Sequence, residues 1–292
     1  MAIGPDIKEV LSEIGGAVTI LRSPTNVTGE YIRIVLNKQV TKPFIREFFT
    51  EAILSYDTGI VAGDEILFAD GHVYLVMNKT AAILEGETYQ WNSVLHKTNA
   101  VGRILRKPST STRSTRYQQT AAWSVTNTSC YALMTESLYG NEMDTDEDLA
   151  NLGLMREDLY ISSKHGILRN DRFDISAVGA LTKTSTAGTI ATGAVIALGN
   201  APITETWTIT FDDATHFHVT GSDVGVLDAA GVVGTVLAVE EYFTVPAVFF
   251  TGTWAAGNTC VFDTTAEYYW VQDVKKRRYN EVWVATLAED NR

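Results

Sequence analysis

The chain has 292 residues, 45% of them hydrophobic, and a formal net charge of -12, so it can bury cores in two or three domains and is too acidic to wrap nucleic acid over its whole surface, which takes a dominant basic face. No apolar run reaches the roughly 20 residues that cross a bilayer, and the first residues lack the basic and apolar regions of a secretory signal; cytosolic synthesis and no membrane partner are expected. With two cysteines, Cys130 and Cys260, far apart in sequence, no disulfide framework is expected and both read as buried small hydrophobes.

In chain order the first element is a helix over residues 6–16. Ile7, Val10, Leu11 and Ile14 fall at i, i+3, i+4 and i+7 and make one apolar face. Asp6 can cap the start, Glu9 stands three residues on as in a capping box, and Gly15 and Gly16 can end it. Residues 1–16 thus form an arm whose apolar face packs on its own domain or docks on a neighbouring subunit. From 18 to 97 short β-branched and aromatic runs are divided by Gly, Asp and Asn, which is strand and turn chemistry and points to a first β-barrel module over 17–96. Residues 44–54 suit helix or strand and are taken as strand. Residues 97–116 carry Lys97, Arg103, Arg106, Lys107, Arg113 and Arg116 with no acidic residue and a Ser/Thr-rich run. They read as a basic connector: a solvated linker, or a stretch that meets an acidic neighbouring subunit or the phosphates of DNA. Strand-like composition returns over 117–138, and a short helix is expected over 148–155.

The second half repeats the first. Gly59-Ile60-Val61-Ala62-Gly63-Asp64-Glu65-Ile66 aligns without a gap on Gly166-Ile167-Leu168-Arg169-Asn170-Asp171-Arg172-Phe173. The match resumes about ninety residues later, where Tyr269-Trp270-Val271 parallels Tyr74-Leu75-Val76 and Trp283 to Leu287 keeps the spacing of Trp91 to Leu95. The expected architecture is therefore all-β: two small barrel modules in tandem, the second (117–175 plus 267–292) interrupted by an inserted β-domain (176–266). That insertion is rich in Thr, Gly, Ala and Val, with Lys183 its only basic residue. Its short strands point to a small sandwich, and its ends at Ile175 and Glu267 must meet because they occupy one hairpin of the module.

Few residues offer chemistry. Asp144-Thr145-Asp146-Glu147-Asp148 opens like a calcium loop, but Leu149 stands where the turn needs Gly and Met155 where a bidentate Glu is needed. His216 and His218 share one face of a presumed strand, with Asp212 and Asp213 read as a turn, and no third ligand pairs with them. No Ser or Cys stands in a nucleophile motif and no phosphate-cradling loop is present. No metal, no cofactor and no catalytic activity are expected. Trp207, Tyr242, Phe243 and Trp254 either fill the core of the insertion or stack on sugars.

The run Thr58 to Ile66, then Gly71-His72-Val73-Tyr74-Leu75-Val76, then Tyr89 to Leu95, resembles the small β-barrel of head-closure, or stopper, proteins in the neck of tailed bacteriophages. The likeness covers roughly residues 20–100 and, more weakly, 117–175 with 267–292; the family does not usually carry two modules or such an insertion. The resemblance implies a structural virion protein, assembled in the host cytoplasm as a ring of identical copies between portal or adaptor and tail. There it would help to close the head, retain DNA and dock the tail. The alternative is a virion decoration or carbohydrate-binding adhesive protein that uses the inserted domain.

Overall fold

The computed structural model describes residues 3–35, 49–107, 123–136, 156–184, 187–276 and 281–289. The expected helix over 148–155, the acidic run 144–148 and residues 44–48 lie outside them. Among the described residues the chain is all-β apart from one α-helix and a single 3-10 turn, Ser163–His165. The helix, α1, spans Ile3–Ile14, three residues ahead of the start read from Asp6. Pro5 sits in the first turn, where its missing N–H costs no hydrogen bond, and Asp6 complements the helix dipole from within that turn. Gly15 ends the helix by donating its N–H to Leu11 O (2.9 Å).

The first barrel follows at once. Its strands are β1 (Gly16–Leu21), β2 (Val27–Val35), β3 (Phe49–Ser55), β4 (Glu65–Phe68), β5 (Val73–Leu84) and β6 (Glu87–Lys97). They close in the order β1-β2-β3-β6-β5-β4, and closure removes the edges that would otherwise pair with other chains. Period-two alternation turns Val18, Ile20, Ile32, Leu54, Ile66 and Leu95 inward. Each such side chain contributes roughly 1.5–3 kcal/mol when fully buried. Glu85 and Gly86, at φ 52° and 86°, make the tight turn joining β5 to β6, a turn that demands left-handed conformations at both positions.

The second barrel is built from β7 (Ala100–Arg106), β8 (Ser124–Glu136), β9 (Arg156–Ser162), β10 (Arg172–Asp174) and two later strands, Tyr268–Lys275 and Val282–Glu289. Around the barrel, these six follow the same order as the first six. The repeat extends to individual hydrogen bonds. Gly63 N–H donates to Val76 O (2.8 Å) and Asn170 N–H to Val271 O (2.9 Å); Val76 N–H donates to Asp64 O and Val271 N–H to Asp171 O (both 2.9 Å). Asp64 Oδ2 accepts from Val61 N–H (2.8 Å) as Asp171 Oδ2 does from Leu168 N–H (2.7 Å). Both barrels carry a β-bulge one residue further on, between Val76 and Asn78 and between Val271 and Asp273. Gly63 and Asn170 both sit at positive φ, 85° and 71°, a region Gly enters freely and Asn tolerates. One reading is corrected. Residues 100–106, taken as part of a polar connector, are the first strand of the second barrel, because Ile104 and Leu105 turn into the core while Arg103 and Arg106 stay half-buried. The basic residues hid a strand.

Where the first barrel has a short turn between its fourth and fifth strands, the second has residues 175–267, which form their own sheets: β11 (Ala177–Val178), β12 (Thr182–Lys183), β13 (Thr189–Ile190), β14 (Ala197–Leu198), β15 (Glu205–Phe211), β16 (His216–Gly221), β17 (Gly225–Val232), β18 (Leu237–Val239), β19 (Phe243–Val245), β20 (Phe250–Thr251) and β21 (Thr259–Thr265). The barrel then resumes with β22 (Tyr268–Lys275) and β23 (Val282–Glu289). The main sheet runs β11-β21-β15-β16-β17, with β12 also on β21. The two ends of the segment meet: Ile175 N–H donates to Glu267 O (3.1 Å). The core is aromatic, with Phe211 stacked on Trp254 at 4.1 Å between centroids and Trp207 donating its indole N–H to Thr264 Oγ1 (2.8 Å). Buried Glu205 accepts from the backbone N–H groups of Ser222 (2.8 Å), Asp223 (3.0 Å) and Val224 (3.1 Å). The chain divides into two compact units, one of residues 1–104, 127–173 and 269–292, the other of 105–126 and 174–268.

Candidate assembly interface

A built polar site lies in the first unit, where the second barrel seats on the first. It starts from the repeated turn. Gly63 is left-handed and so close to the second barrel that a Cβ here would lie 2.5 Å from Glu281 Cβ and 3.0 Å from Glu281 O. Only glycine fits. Its carbonyl accepts from the buried Ser162 hydroxyl (2.6 Å). Ser162 closes β9, and the 3-10 turn that follows delivers Lys164 and His165.

Asp64, fully buried, accepts from both barrels. Arg22, just past β1, donates through Nε (3.1 Å) and Nη2 (2.6 Å), and Lys164 donates from the second barrel. Burial pushes the Asp64 carboxyl up, but the Arg22, Lys164 and Val61 donors outweigh it and hold the group below the usual carboxylate range. Beside it His165 Nε2 lies 2.5 Å from Glu65 Oε1. The apolar part of the seat is Leu75, Met77 and Val94 of the first barrel against Tyr160 and Val282 of the second. The His96 ring sits between Phe49 (3.9 Å) and Tyr160 (5.6 Å). Charged hydrogen bonds walled by apolar contacts make a specific seat, since the charges are satisfied only in one register.

The residues singled out from sequence fall elsewhere. Lys97 ends β6, with Nζ 3.2 Å from His72 Nε2; Arg103 and Arg106 lie on β7; Lys107 is exposed, with Nζ 4.7 Å over the Trp123 ring. Arg113 and Arg116 lie outside the described residues. The four described cations therefore do not share one flexible stretch. On α1, Leu11 is 3% exposed and packs on its own barrel, while Val10 and Ile14 are 47% and 55% exposed, and Ile7 is half-buried. The seat itself, Gly63, Asp64, Ser162 and Lys164, escaped sequence reading. Its one signal was the exchange of Gly63 for Asn170 within the aligned segment, which marks where one barrel is approached closely within the chain.

In the second unit His216 Nδ1 pairs with Asp213 (2.8 Å) and His218 Nδ1 with Asp212 (2.8 Å), and no group of three metal-ligating side chains converges among the described residues. Trp207, Phe243 and Trp254 are buried, and Tyr242 packs against the same core. Cys130 and Cys260 are buried free thiols. Burial pushes Cys130 up to about 12, with the Glu65 charge adding to it, and Cys260 up to about 11 against the opposing charge of Lys183. Among the described residues no helix is long and apolar enough to cross a membrane. No protein-family model matches the chain, and no curated protein and no solved structure matches it significantly.

Proposed function

We propose that this chain is a structural component of a bacteriophage virion neck, forming a ring of identical copies between portal or adaptor and tail that helps to close the head, retain DNA and dock the tail. The observation that carries the reading is the doubling of one small closed barrel, strand for strand, with the copies joined through a buried, hydrogen-bonded seat. In that seat a fully buried carboxylate takes donors from both barrels and so holds one folded module against another, the chemistry of an assembly part. The neck placement rests on the resemblance of the Thr58 to Ile66, Gly71 to Val76 and Tyr89 to Leu95 runs to stopper barrels. The adhesive alternative loses its stacking surface, because Trp207, Phe243 and Trp254 are buried and so are closed to a sugar face.

Immunogold electron microscopy of virions with antibody to residues 176–266 tests the placement. Label at the head–tail junction is expected; label on the tail tip, or none on virions, overturns it.

A further inference from the structure

The repeat allows each barrel to be asked what covers the same face. In β3 Leu54 pairs with Trp91 and in β9 Ile161 pairs with Trp283, so Ile53, Ser55, Asp57 and Gln90 of the first barrel correspond to Tyr160, Ser162, Lys164 and Val282 of the second. On the second barrel this face is seated on the first barrel, through Ser162 to Gly63, Lys164 to Asp64, and Tyr160 and Val282 on the apolar patch. On the first barrel the same face is covered by α1. Lys8 Nζ donates to Asp57 Oδ2 at 2.5 Å, Gly4 lies so close to the Tyr56 ring that a Cβ would come within 2.9 Å of it, and Ile7, Leu11 and Ile14 line a groove with Ile53 and Gln90.

The charges on the two faces are inverted together. Within the chain, Lys164 and His165 meet the turn Ala62-Gly63-Asp64-Glu65. At the corresponding positions the first barrel carries Asp57 and Thr58, and the second barrel's turn reads Arg169-Asn170-Asp171-Arg172. Arg169 and Asn170 are exposed. Asp57 is thus matched in charge by the exposed Arg169 of another copy, whereas the acidic turn of the first barrel is already buried in the seat within its own chain, so one pairing of copies is favoured.

We propose that α1 is a removable cap: it covers the docking face of the first barrel, and its withdrawal opens that face to the Arg169-Asn170 turn of a second copy. The contact is head to tail, so it closes into a ring or continues as a stack according to the rotation it imposes. It uses on the first barrel the face that the second barrel uses within the chain, without the close approach that Gly63 permits there, because Asn170 carries a Cβ, and it stands whether or not the protein belongs to a neck.

Sedimentation velocity over a concentration series tests this, with α1 detached by Lys8→Glu and Leu11→Asp, or with residues 1–14 deleted. The detached chain is expected to add species larger than those of the wild type, at roughly tenfold lower concentration or better, the scale of one well-placed charge pair. Arg169→Glu in the detached background should abolish the larger species, and Asp57→Lys combined with Arg169→Glu should restore them. A detached chain with native circular dichroism that sediments like the wild type, or smaller, overturns the proposal. So does association that is indifferent to Arg169→Glu, which would mark mere stickiness of the opened groove. Loss of native circular dichroism in the double variant moves the test to Lys8→Glu alone, read by the same criteria.

Discussion

The two barrels share strand order, turn hydrogen bonds and the place of a β-bulge, yet they differ at the faces they turn outward. Gly63 faces Asn170, Asp57 faces Lys164, and Glu65 faces Arg172 across the repeat. Inside, the requirement is only that apolar residues of suitable volume fill a closed barrel, so Ile66 and Phe173 both serve, each fully buried. Outside, each exchange changes which surface can be met. The duplicated fold is thus one scaffold with two sets of contacts, and the differences lie where another body packs.

The sharpest way to break the comparison is to treat equivalent positions alike. Gly63→Val places a Cβ at positive φ and against Glu281, and is expected to cost roughly 2–4 kcal/mol. Asn170→Val lacks the clash and is expected to cost about 1–2 kcal/mol, from the left-handed backbone alone; urea unfolding midpoints of the two variants measure the difference. Equal losses would mean that the close approach at Gly63 contributes nothing.

Next in size, Asp64→Ala strips the acceptor shared by Arg22 and Lys164. Because both cations reach solvent, the loss is expected at about 2 kcal/mol, below that of a fully buried pair, again by urea midpoint. A pH series sharpens the same point. Asp64 is depressed in the folded state, so its contribution is complete above the unfolded value of about 3.9 and is lost as the pH falls through the lower folded value. Thermal midpoints measured downward from pH 5 should therefore fall less in Asp64→Asn than in the wild type. In the other unit burial opposes ionisation of Glu205, but donors from Ser222, Asp223, Val224 and Thr206 outweigh it and hold its carboxyl at about 2. Its contribution is complete above the unfolded value of about 4.3 and is lost as the pH falls toward the folded value, so Glu205→Gln should flatten the curve over that span.

The smallest effect is chemical. Cys130 of a barrel and Cys260 of the aromatic segment are both buried with raised pKa values, so labelling by a disulfide reagent at pH 8 should be negligible in the native protein. In graded urea, the order in which mass spectrometry finds the two labelled reports which region opens first. Fast native labelling of either would contradict the packing around it.

Much of the barrels was legible because their signals are local: period-two apolar runs, Gly and Asp at turns, and an eight-residue ungapped match whose Asp64 and Asp171 both cap the turn that precedes their strand. The start of the second barrel was missed because Arg103 and Arg106 outweigh Ile104 and Leu105 in composition, although the strand needs only its inward residues to be apolar. The spacing of α1 gives it one apolar face, but spacing alone cannot tell that Leu11 is buried on its own barrel while Val10 and Ile14 remain exposed. Lys164 and Asp64 stand a hundred residues apart, and no local pattern links them.

By itself the sequence determined the all-β class, the duplication and the interruption of the second copy, since periodicity, turn residues and repeated spacing act over a few neighbours along the chain. Only the tertiary structure decided which faces meet. Burial of Asp64 is tolerable only with Arg22 and Lys164 beside it, and Gly63 matters only because Glu281 approaches; both facts depend on two barrels packing in one register, where residues distant in sequence exclude water together.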